Sequence, residues 1–500
     1  MFELSSIING LSLILSAELF AVVIVSIFVG LIFGAMPGIT TSLCLSLFFP
    51  IALSLSTASG FMLLLTLYCS TIVGAGIMAV LFNIPGNPGS IATTFDGYPM
   101  ASRGKGCLAL GLHISSSTAG SLISWLFLLL FFIPLGTLAS NLGNIDLFLI
   151  TILVIVLVGT MGDSKLIRSV ISGLMGLFIA VNNHSFNQGE PVEWAGITFG
   201  DTFPLVIILV GLFAAPELYK LLRKKTDLNH QHTDENTSYH ELFRSIPVLA
   251  ENKLVVLRSS LIGLVIGLLP SAGAALSSMT AYFAQKRISR HKEAFGNGAV
   301  SGVIAPECAN SASVGGSMLV LLLLGIPGSN SSAVIYGFLT EQGVTLGHTL
   351  YQTRPDIVYA AIFGGILSTL LLAAVAYLAA PYISRIIRVN HHVLFPFLLA
   401  LVSFSAYFYR GYSGDMVILY LFGVVGLLMS HYKYPIISMV LGMFLGNQFL
   451  NGLESFNQLI EHNPFSIISR PFSLLLLLVI SALLLKHVTN CLRNIRQKMV

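Results

Sequence analysis

Long apolar segments recur along the whole chain, and they constrain its fold more than any other feature. Together with the small residues that flank them, they approach the ~18 to 20 residues that cross a hydrocarbon core. They cover residues 19–33, 118–138, 145–160, 204–216, 254–269, 313–326, 357–381 and 471–486. Allowing for closely joined pairs, the pattern predicts roughly ten to twelve transmembrane segments.

The composition excludes a water-soluble globular protein. Only 9% of the 500 residues are charged and 55% are hydrophobic, whereas soluble domains carry about 25% charged residues. The net charge of +4 comes from lysines and arginines in loops, with no basic stripe interleaved with aromatic residues, so we expect no nucleic-acid partner. The predicted fold is an all-α polytopic membrane protein.

One hydrophilic segment, residues 220–253, divides the chain almost in half. By the positive-inside rule its basic residues place it in the cytoplasm. These residues are Lys220, Arg223, Lys224, Lys225, Arg244 and Lys253. Its histidines lack the cysteine or carboxylate cluster that would complete a metal site. We therefore predict a first membrane repeat over 1–219, a cytoplasmic linker over 220–253 and a second membrane repeat over 254–500.

The two halves carry the same helix-breaking motifs in the same order. GAMPGITTS (34–42) corresponds to GLLPSAGAA (267–275), and FNIPGNPGS (82–90) corresponds to LGIPGSNSS (324–332). Proline removes a backbone donor and glycine costs roughly 1 kcal/mol of helix propensity, so each motif should break its helix. The shared order predicts an internal repeat built from broken helices or re-entrant hairpins.

The loops after the first break of each half differ in charge. The first half continues without any charge, whereas the second reaches Lys286, Arg287, Arg290 and Lys292. If basic loops stay cytoplasmic, the equivalent loops lie on opposite sides of the membrane. The charge difference predicts an inverted-topology repeat, the plan of many secondary transporters.

The breaks themselves suggest a binding site. Within a membrane, irregular backbone survives only where it is buried in protein or lines a wet cavity. Exposed helix N-termini attract anions, and small polar residues add donors and acceptors. Close helix packing by small residues is the alternative use of such runs. The candidate substrate residues are Pro37, Gly38, Asn83, Pro85, Gly86, Asn87, Gly89, Ser90, Pro270, Ser271, Gly273, Gly325, Pro327, Gly328, Ser329 and Asn330.

Polar residues near the breaks could hold a coupling cation. Helix-end carbonyls and hydroxyls coordinate Na⁺, and a carboxylate within the membrane binds a cation or a proton. Glu307 is the one acidic residue that we place well inside an apolar region. The alternative interpretation is a carboxylate at the start of a helix, where the helix dipole stabilises it. The candidate coupling-ion residues are Thr40, Thr41, Glu307, Asn310, Ser311 and Ser331. Asp96 is predicted to form a turn with Gly97.

No catalytic constellation is present in the sequence, so we predict that the protein is not an enzyme. There is no GxSxG elbow, no Walker loop and no HExxH helix, and no nucleotide site that could power transport. The remaining function is transport driven by an ion gradient. Two alternatives stay open: an anion channel, which needs a continuous polar pore, and a membrane-embedded enzyme, which needs several facing ionisable residues.

The ordered motifs resemble one family, the large membrane subunit of the tripartite tricarboxylate transporters (TctA-type), over nearly the whole chain. The strongest matches are NIPGNPGS with DGYP (96–99), GLLPSAGA, and FGNGAVSGVIAPECANSASVGG with LGIPGS. The chain also departs from the family pattern: Val73-Gly74-Ala75-Gly76 replaces Tyr-Gly-Gly-Ser, Ile84 replaces a threonine, and Gly446-Asn447 replaces Gly-Pro. The first two changes each remove a hydroxyl, which is typical of a divergent member.

The resemblance implies import of a di- or tricarboxylate-like anion coupled to Na⁺ or H⁺, without other cofactors, in the bacterial inner membrane. It also implies two partners, a small four-helix membrane subunit and a periplasmic substrate-binding protein. A carboxylate transporter that works without a binding protein is the alternative. The sequence favours neither a monomer nor a dimer.

Overall fold

A computed structural model describes most of the chain as helices. It describes residues 16–36, 38–161, 166–186, 192–194, 196–200, 204–223, 239–270, 273–347, 350–386, 391–462 and 470–499. Within these ranges, the only strands are β1 (Val192–Trp194) and β2 (Ile197–Phe199), which form a short antiparallel hairpin. The predicted all-α membrane fold is confirmed, with this hairpin as a small addition.

The first half of the chain contains eight helices in the described residues. They are α1 (Ala17–Gly34), α2 (Thr41–Leu53), α3 (Thr57–Phe82), α4 (Ile91–Met100), α5 (Gly106–Ala139), α6 (Asn144–Met161), α7 (Leu166–Phe186) and α8 (Leu205–Arg223). A 3₁₀ turn, Pro88–Ser90, leads into α4, and a kinked π turn, Ala101–Lys105, joins α4 to α5.

The second half repeats this order after two short helices. These two are α9 (Tyr239–Phe243) and α10 (Ser245–Glu251). The later helices are α11 (Lys253–Gly267), α12 (Gly273–Ile288), α13 (Val300–Leu324), α14 (Asn330–Glu341), α15 (Leu350–Thr353), α16 (Pro355–Ile386), α17 (His391–Arg410), α18 (Gly414–His431), α19 (Ile436–His462) and α20 (Pro471–Met499). A 3₁₀ turn, Lys292–Ala294, lies between α12 and α13.

Six helices among the described residues are long and apolar enough to cross a membrane. They cover Ala17–Gly34, Thr57–Phe82, Pro88–Thr137, Val300–Leu324, Pro355–Ala379 and Gly414–His431. The count becomes seven if α19, which bends by 67° between Gly446 and Gln448, is one span. Several other apolar stretches form helices of only 10–17 residues. The six or seven helices that qualify by length and composition are fewer than the ten to twelve segments that the sequence predicts, and the shorter apolar helices account for apolar stretches that are not counted as spans.

Helix pairs in the two halves pack through equivalent glycines. On α1, a Cβ at Gly34 would strike the backbone of Thr71 on α3, and on α11 a Cβ at Gly267 would strike the backbone of Ser313 on α13. Glycine at these positions lets the backbones approach closely, as membrane helices require in the absence of a hydrophobic driving force. The two halves therefore share this packing feature, while the internal repeat and its inverted orientation stay predictions.

The halves also exchange contacts. In one direction, Phe95 of α4 packs edge-on against Tyr282 of α12. In the other, Phe338 of α14 packs edge-on against Phe49 of α2. Each helix that follows an Ile-Pro-Gly break thus rests on the second helix of the opposite half, so the two breaks are held in one packed unit.

The predicted linker is not entirely a solvated segment. Residues 224–238 lie outside the described residues, but α9 and α10 pack against the membrane helices. Leu242 and Ser245 are fully buried, and the Ser245 hydroxyl lies 3.0 Å from the Tyr377 hydroxyl of α16. The second part of the linker is therefore anchored to the transmembrane bundle.

Candidate functional site

The two Ile-Pro-Gly breaks have the same backbone geometry. Helix α3 ends at Asn83 in the left-handed region (φ 56°, ψ 26°), and α13 ends at Gly325 in the same region (φ 66°, ψ 29°). The next helical segments begin at Asn87 (φ −137°, ψ 166°) and Ser329 (φ −153°, ψ 167°), both extended N-caps. The two breaks therefore share backbone dihedral angles as well as sequence motifs. Each break presents a helix C-terminus beside a helix N-terminus.

The glycine that follows each proline is required by its neighbours. A Cβ at Gly86 would lie 2.7 Å from Ala75 and 2.8 Å from the carbonyl oxygen of Gly34. A Cβ at Gly328 would lie 2.7 Å from the hydroxyl of Ser317 and 3.1 Å from the carbonyl oxygen of Gly267. Both breaks are packed against the helices that precede them, so a larger side chain here would disturb packing as well as any ligand.

At the first break, Asn87 and Ser90 form a cap. Asn87 Oδ1 accepts hydrogen bonds from the Ser90 backbone N–H and the Ser90 hydroxyl, each at 2.9 Å. Both residues are buried, whereas Asn83 is exposed. The cap engages the Asn87 side-chain oxygen, and Pro85, two residues earlier, is partly exposed.

At the second break, Ser329 and Ser332 form a capping box. Ser329 Oγ accepts from the Ser332 N–H at 3.1 Å, and the Ser329 N–H donates to Ser332 Oγ at 2.8 Å. The Tyr68 hydroxyl of α3 lies 3.0 Å from Ser329 Oγ, so the first half contacts the second break directly. Asn330 is exposed, Pro327 is buried and Ser331 is nearly so.

Buried polar groups without a partner lie on α13 beside the first break. Asn310 is fully buried, and neither its amide oxygen nor its amide nitrogen has a hydrogen-bond partner in the described protein. The Ser311 hydroxyl is likewise unpartnered. A Cβ at Gly89 would collide with Asn310 Oδ1, so the amide faces the break. Unsatisfied buried polar groups are costly, which marks this position as one where a ligand or ion would be stabilised.

Glu307 lies one helical turn before Asn310, and polar side chains of α4 and α5 surround its carboxylate. Its Oε1 accepts a hydrogen bond from the Thr93 hydroxyl of α4, and its Oε2 accepts one from the Ser117 hydroxyl of α5 at 3.0 Å. The Nδ1 atom of His113 on α5 lies 2.9 Å from the same Oε2. Glu307 and His113 are both fully buried, so the carboxylate does more than favour a helix dipole.

The His113 ring is held by α3. Its Nε2 lies 2.8 Å from the Val73 carbonyl oxygen, and Gly76 leaves the space that the ring occupies. A hydrogen on Nδ1 would not point at the Glu307 carboxylate. The two residues are therefore within ion-pair distance but are not aligned for a hydrogen bond. Sequence reasoning missed His113; the available signal was a lone ionisable residue inside the apolar segment that begins at Gly106.

The earlier breaks contribute less defined geometry. Gly38 and Gly273 have positive φ angles of 94° and 63°, while Pro37 and Ser271 lie outside the described residues. Thr40 caps α2 by accepting from the Leu43 N–H, and Thr41 accepts from the Thr71 hydroxyl of α3. Pro270, at the equivalent break of the second half, is buried. These threonines therefore hold the α1–α2 turn and α3 together.

Asp96 does not form the turn that the sequence suggests. It lies inside α4, fully buried, and Oδ1 accepts hydrogen bonds from the backbone N–H groups of Gly296, Gly298 and Ala299 at 2.7–2.9 Å. Oδ2 accepts from the Tyr282 hydroxyl at 2.9 Å. The prediction was wrong because the acceptor's partners lie in the other half of the chain, where no local pattern shows them.

A cavity of about 640 Å³ lies away from the breaks, between the ends of α2 and α14 and helix α17. Ser54, Glu341, Gln342 and Tyr409 supply its polar lining, and Tyr409 donates a hydrogen bond to Glu341. No predicted substrate residue lines it. Among the described residues there is also no cluster of three side chains that could bind a metal ion.

Comparison with known proteins decides the family. The sequence profile described as "Tripartite tricarboxylate transporter TctA family" matches residues 20–441, which is most of the chain. The chain belongs to the TctA family. This is a transporter family rather than an enzyme family, and the prediction that the protein is not an enzyme is confirmed.

Two relatives come from Agrobacterium vitis. An uncharacterized 52.8 kDa protein in the TAR-I ttuC' 3' region is 27% identical over 88% of each chain. An uncharacterized protein in the TAR-II ttuC' 3' region is 29% identical over 37% of this chain and 76% of its own length. No solved structure matches this TctA-family chain. Family membership makes the protein a multi-pass component of a tripartite system, which implies small membrane and periplasmic partners.

Proposed function

We propose that the protein is the large permease subunit of an ion-gradient-driven symporter that imports a di- or tricarboxylate across the bacterial inner membrane. The matched geometry of the two breaks carries this proposal. Each places a helix N-terminus, which bears partial positive charge, in the packed region that both halves share. An anion with two or more carboxylates has the charge that two such ends complement.

The substrate would lie between the breaks, in contact with backbone N–H groups. Gly89 and Asn310 bring the first break and α13 together, and Tyr68 and Ser329 bring α3 and the second break together. Asn310 and Ser311 supply unpartnered donors and acceptors for the substrate or for a coupling Na⁺. Alternating access then requires that these contacts separate toward one side of the membrane at a time.

The test is uptake by the purified full-length protein in liposomes, against a panel of di- and tricarboxylates that includes citrate. Na⁺ and proton gradients are imposed separately, with and without a small membrane subunit and a periplasmic binding protein. We expect saturable uptake that requires a gradient. Non-saturable flux would support a channel, and uptake undiminished without the other two proteins would support a binding-protein-independent transporter.

Asn310→Ala tests the site itself. Removing the unpartnered amide should weaken substrate or cation binding and raise the KM for uptake, while the yield of folded protein stays near normal. The matched control is Asn252→Ala at the α10–α11 junction, where the side-chain amide donates to the Val248 carbonyl oxygen. Equal KM values for Asn310→Ala, Asn252→Ala and the unmodified protein would contradict the assigned site.

A further inference from the structure

We infer that His113 and Glu307 form the coupling-proton site of this transporter, holding one proton on either imidazole Nδ1 or carboxylate Oε2. The inference rests on the proposed function for its link to transport. Its structural basis is independent of the substrate: two fully buried ionisable side chains, 2.9 Å apart, inside two helices that are long and apolar enough to span a membrane.

The contacts of the imidazole determine where its hydrogens lie. A backbone carbonyl can only accept, so the 2.8 Å contact with Val73 places a hydrogen on His113 Nε2. Nδ1, 2.9 Å from Glu307 Oε2, then carries either a second hydrogen or a lone pair. With no proton on either atom, a negative carboxylate oxygen would lie against an unprotonated ring nitrogen inside the protein, so we place one proton on Nδ1 or on Oε2. Both arrangements leave the pair electrically neutral.

Loss of that proton would be costly in this conformation. It would leave one uncompensated negative charge inside the protein, with the carboxylate still fixed by the hydroxyls of Thr93 and Ser117. An unpaired buried charge is strongly destabilising. The pair can therefore release its proton only when His113 and Glu307 move apart or water reaches them, which couples protonation to conformation.

Other ionisable groups near the pair do not neutralise it. Asp96 on α4 is already held by three backbone N–H groups and Tyr282, and Arg258 on α11 donates to Gln285. The remaining titratable or charged side chains that the structure describes on elements packed against α5 and α13 are Tyr68 and Cys69 on α3, Tyr98 on α4, Arg103 and Lys105 in the π turn, Cys107 on α5, Tyr239, His240 and Glu241 on α9, Arg244 between α9 and α10, Glu251 on α10, Lys253 on α11, Lys286 and Arg287 on α12, Cys308 on α13, Tyr336 and Glu341 on α14, and Asp356, Tyr359, Tyr377 and Tyr382 on α16.

The position of the pair explains how a proton could act on both breaks. Val73 belongs to the helix that ends at the first break, and Thr93 to the helix that begins after it. Glu307 belongs to the helix that ends at the second break. Separation of the pair would change contacts of three helices that flank the candidate substrate site, so proton binding and substrate access are linked through shared elements.

The contacts already made by the Glu307 carboxylate also favour binding of a proton over Na⁺. Two hydroxyl donors and the His113 imidazole already surround the Glu307 carboxylate, whereas Na⁺ needs several free oxygen ligands. Asn310 and Ser311 are the unpartnered groups nearby, so Na⁺ coupling would have to use them. The two possibilities predict different variants and different driving gradients.

The experiment uses the full-length protein in liposomes with radiolabelled citrate. Counterflow exchange without any gradient is compared with uptake driven by a proton gradient and by a Na⁺ gradient. We expect Glu307→Gln to retain counterflow but to lose proton-driven accumulation, falling to the level of protein-free liposomes. Glu307→Asp should recover part of the proton-driven uptake. The control is Glu217→Gln, whose carboxylate pairs with Lys220 at the protein surface and which should behave as the unmodified protein.

Proton-driven accumulation by Glu307→Gln at the unmodified level would overturn the inference. Accumulation driven by Na⁺ alone would also overturn it but would leave the proposed function intact. If the unmodified protein shows no citrate counterflow, the proposed function fails for citrate, and infrared spectroscopy during a pH titration decides the proton site. We expect a protonated-carboxyl band that is absent in Glu307→Gln and has a shifted pH midpoint in His113→Gln. The same band and midpoint in all three proteins would refute the site.

Discussion

At the scale of single residues, Gly76 determines whether the His113 imidazole fits against α3. A Cβ at Gly76 would overlap the ring, so Gly76→Ala must push His113 away from the Val73 carbonyl. Overpacking a core position typically costs about 1–3 kcal/mol. We expect a lower thermal unfolding temperature in detergent, together with a loss of proton-driven uptake.

Gly136→Ala is the matched control for this change. Its Cβ would lie 3.6 Å from Leu323, an ordinary van der Waals distance, and alanine favours a helix by about 1 kcal/mol over glycine. Gly136→Ala should therefore leave the unfolding temperature unchanged or slightly higher. Similar effects of the two substitutions would mean that His113 does not depend on the space beside Gly76.

Individual site residues were predictable where the residue type is energetically unfavourable in its sequence surroundings, as an ionisable residue is inside an apolar segment. Glu307 was predicted because an acidic residue inside an apolar segment needs a reason, and its full burial confirms that it is an interior group. His113 carries the same kind of signal but was missed, because its partner and its supporting carbonyl are distant in the chain. Sequence position does not reveal such pairings.

At the scale of elements, Asp96 holds α4 of the first half to the start of α13 in the second. Its Oδ1 accepts hydrogen bonds from three backbone N–H groups. Asp96→Ala would remove the acceptor of these N–H groups, which lie in a partly buried turn, at a cost of about 3 kcal/mol. We expect a large decrease in the unfolding temperature and a smaller one for Asp96→Asn, which keeps an acceptor oxygen.

Asp356→Ala provides the comparison for Asp96. Asp356 pairs with Arg354 at 2.9 Å, but the two side chains are 35% and 43% exposed. Ion pairs of this exposure contribute under about 1 kcal/mol. The unfolding temperature should therefore change little. Equal destabilisation by the two substitutions would show that the backbone N–H groups around Gly298 find other acceptors.

The breaks were predictable as elements because proline and glycine act locally. The dihedral angles at Asn83 and Gly325 confirm that the helices end where the motifs predict. The lengths of the surrounding helices were less predictable: α2 and α14 are only 13 and 12 residues long. Hydropathy reports the apolar surroundings of a segment and does not report whether it crosses the bilayer.

At the scale of the whole molecule, the repeat and its inversion rest on different observations. The predicted repeat is supported by the similar packing of Gly34 and Gly267 and by the matched breaks. The inversion rests on loop charge alone, with an uncharged loop after α2 and basic residues at the end of α12. A two-fold exchange of contacts between halves is compatible with parallel or inverted repeats, so orientation requires a measurement.

Single cysteines at Ser54 and Arg287 make that measurement. The two residues follow or end the equivalent helices α2 and α12, and both are exposed. Introduced as Ser54→Cys and Arg287→Cys into a background in which Cys44, Cys69, Cys107, Cys308 and Cys491 are replaced by serine or alanine, each reports its side of the membrane to an impermeant maleimide. We expect Ser54→Cys to react in intact spheroplasts and Arg287→Cys only after lysis. Reaction of both from one side would establish parallel halves, and substrate access by exchange of two inverted halves would then be excluded.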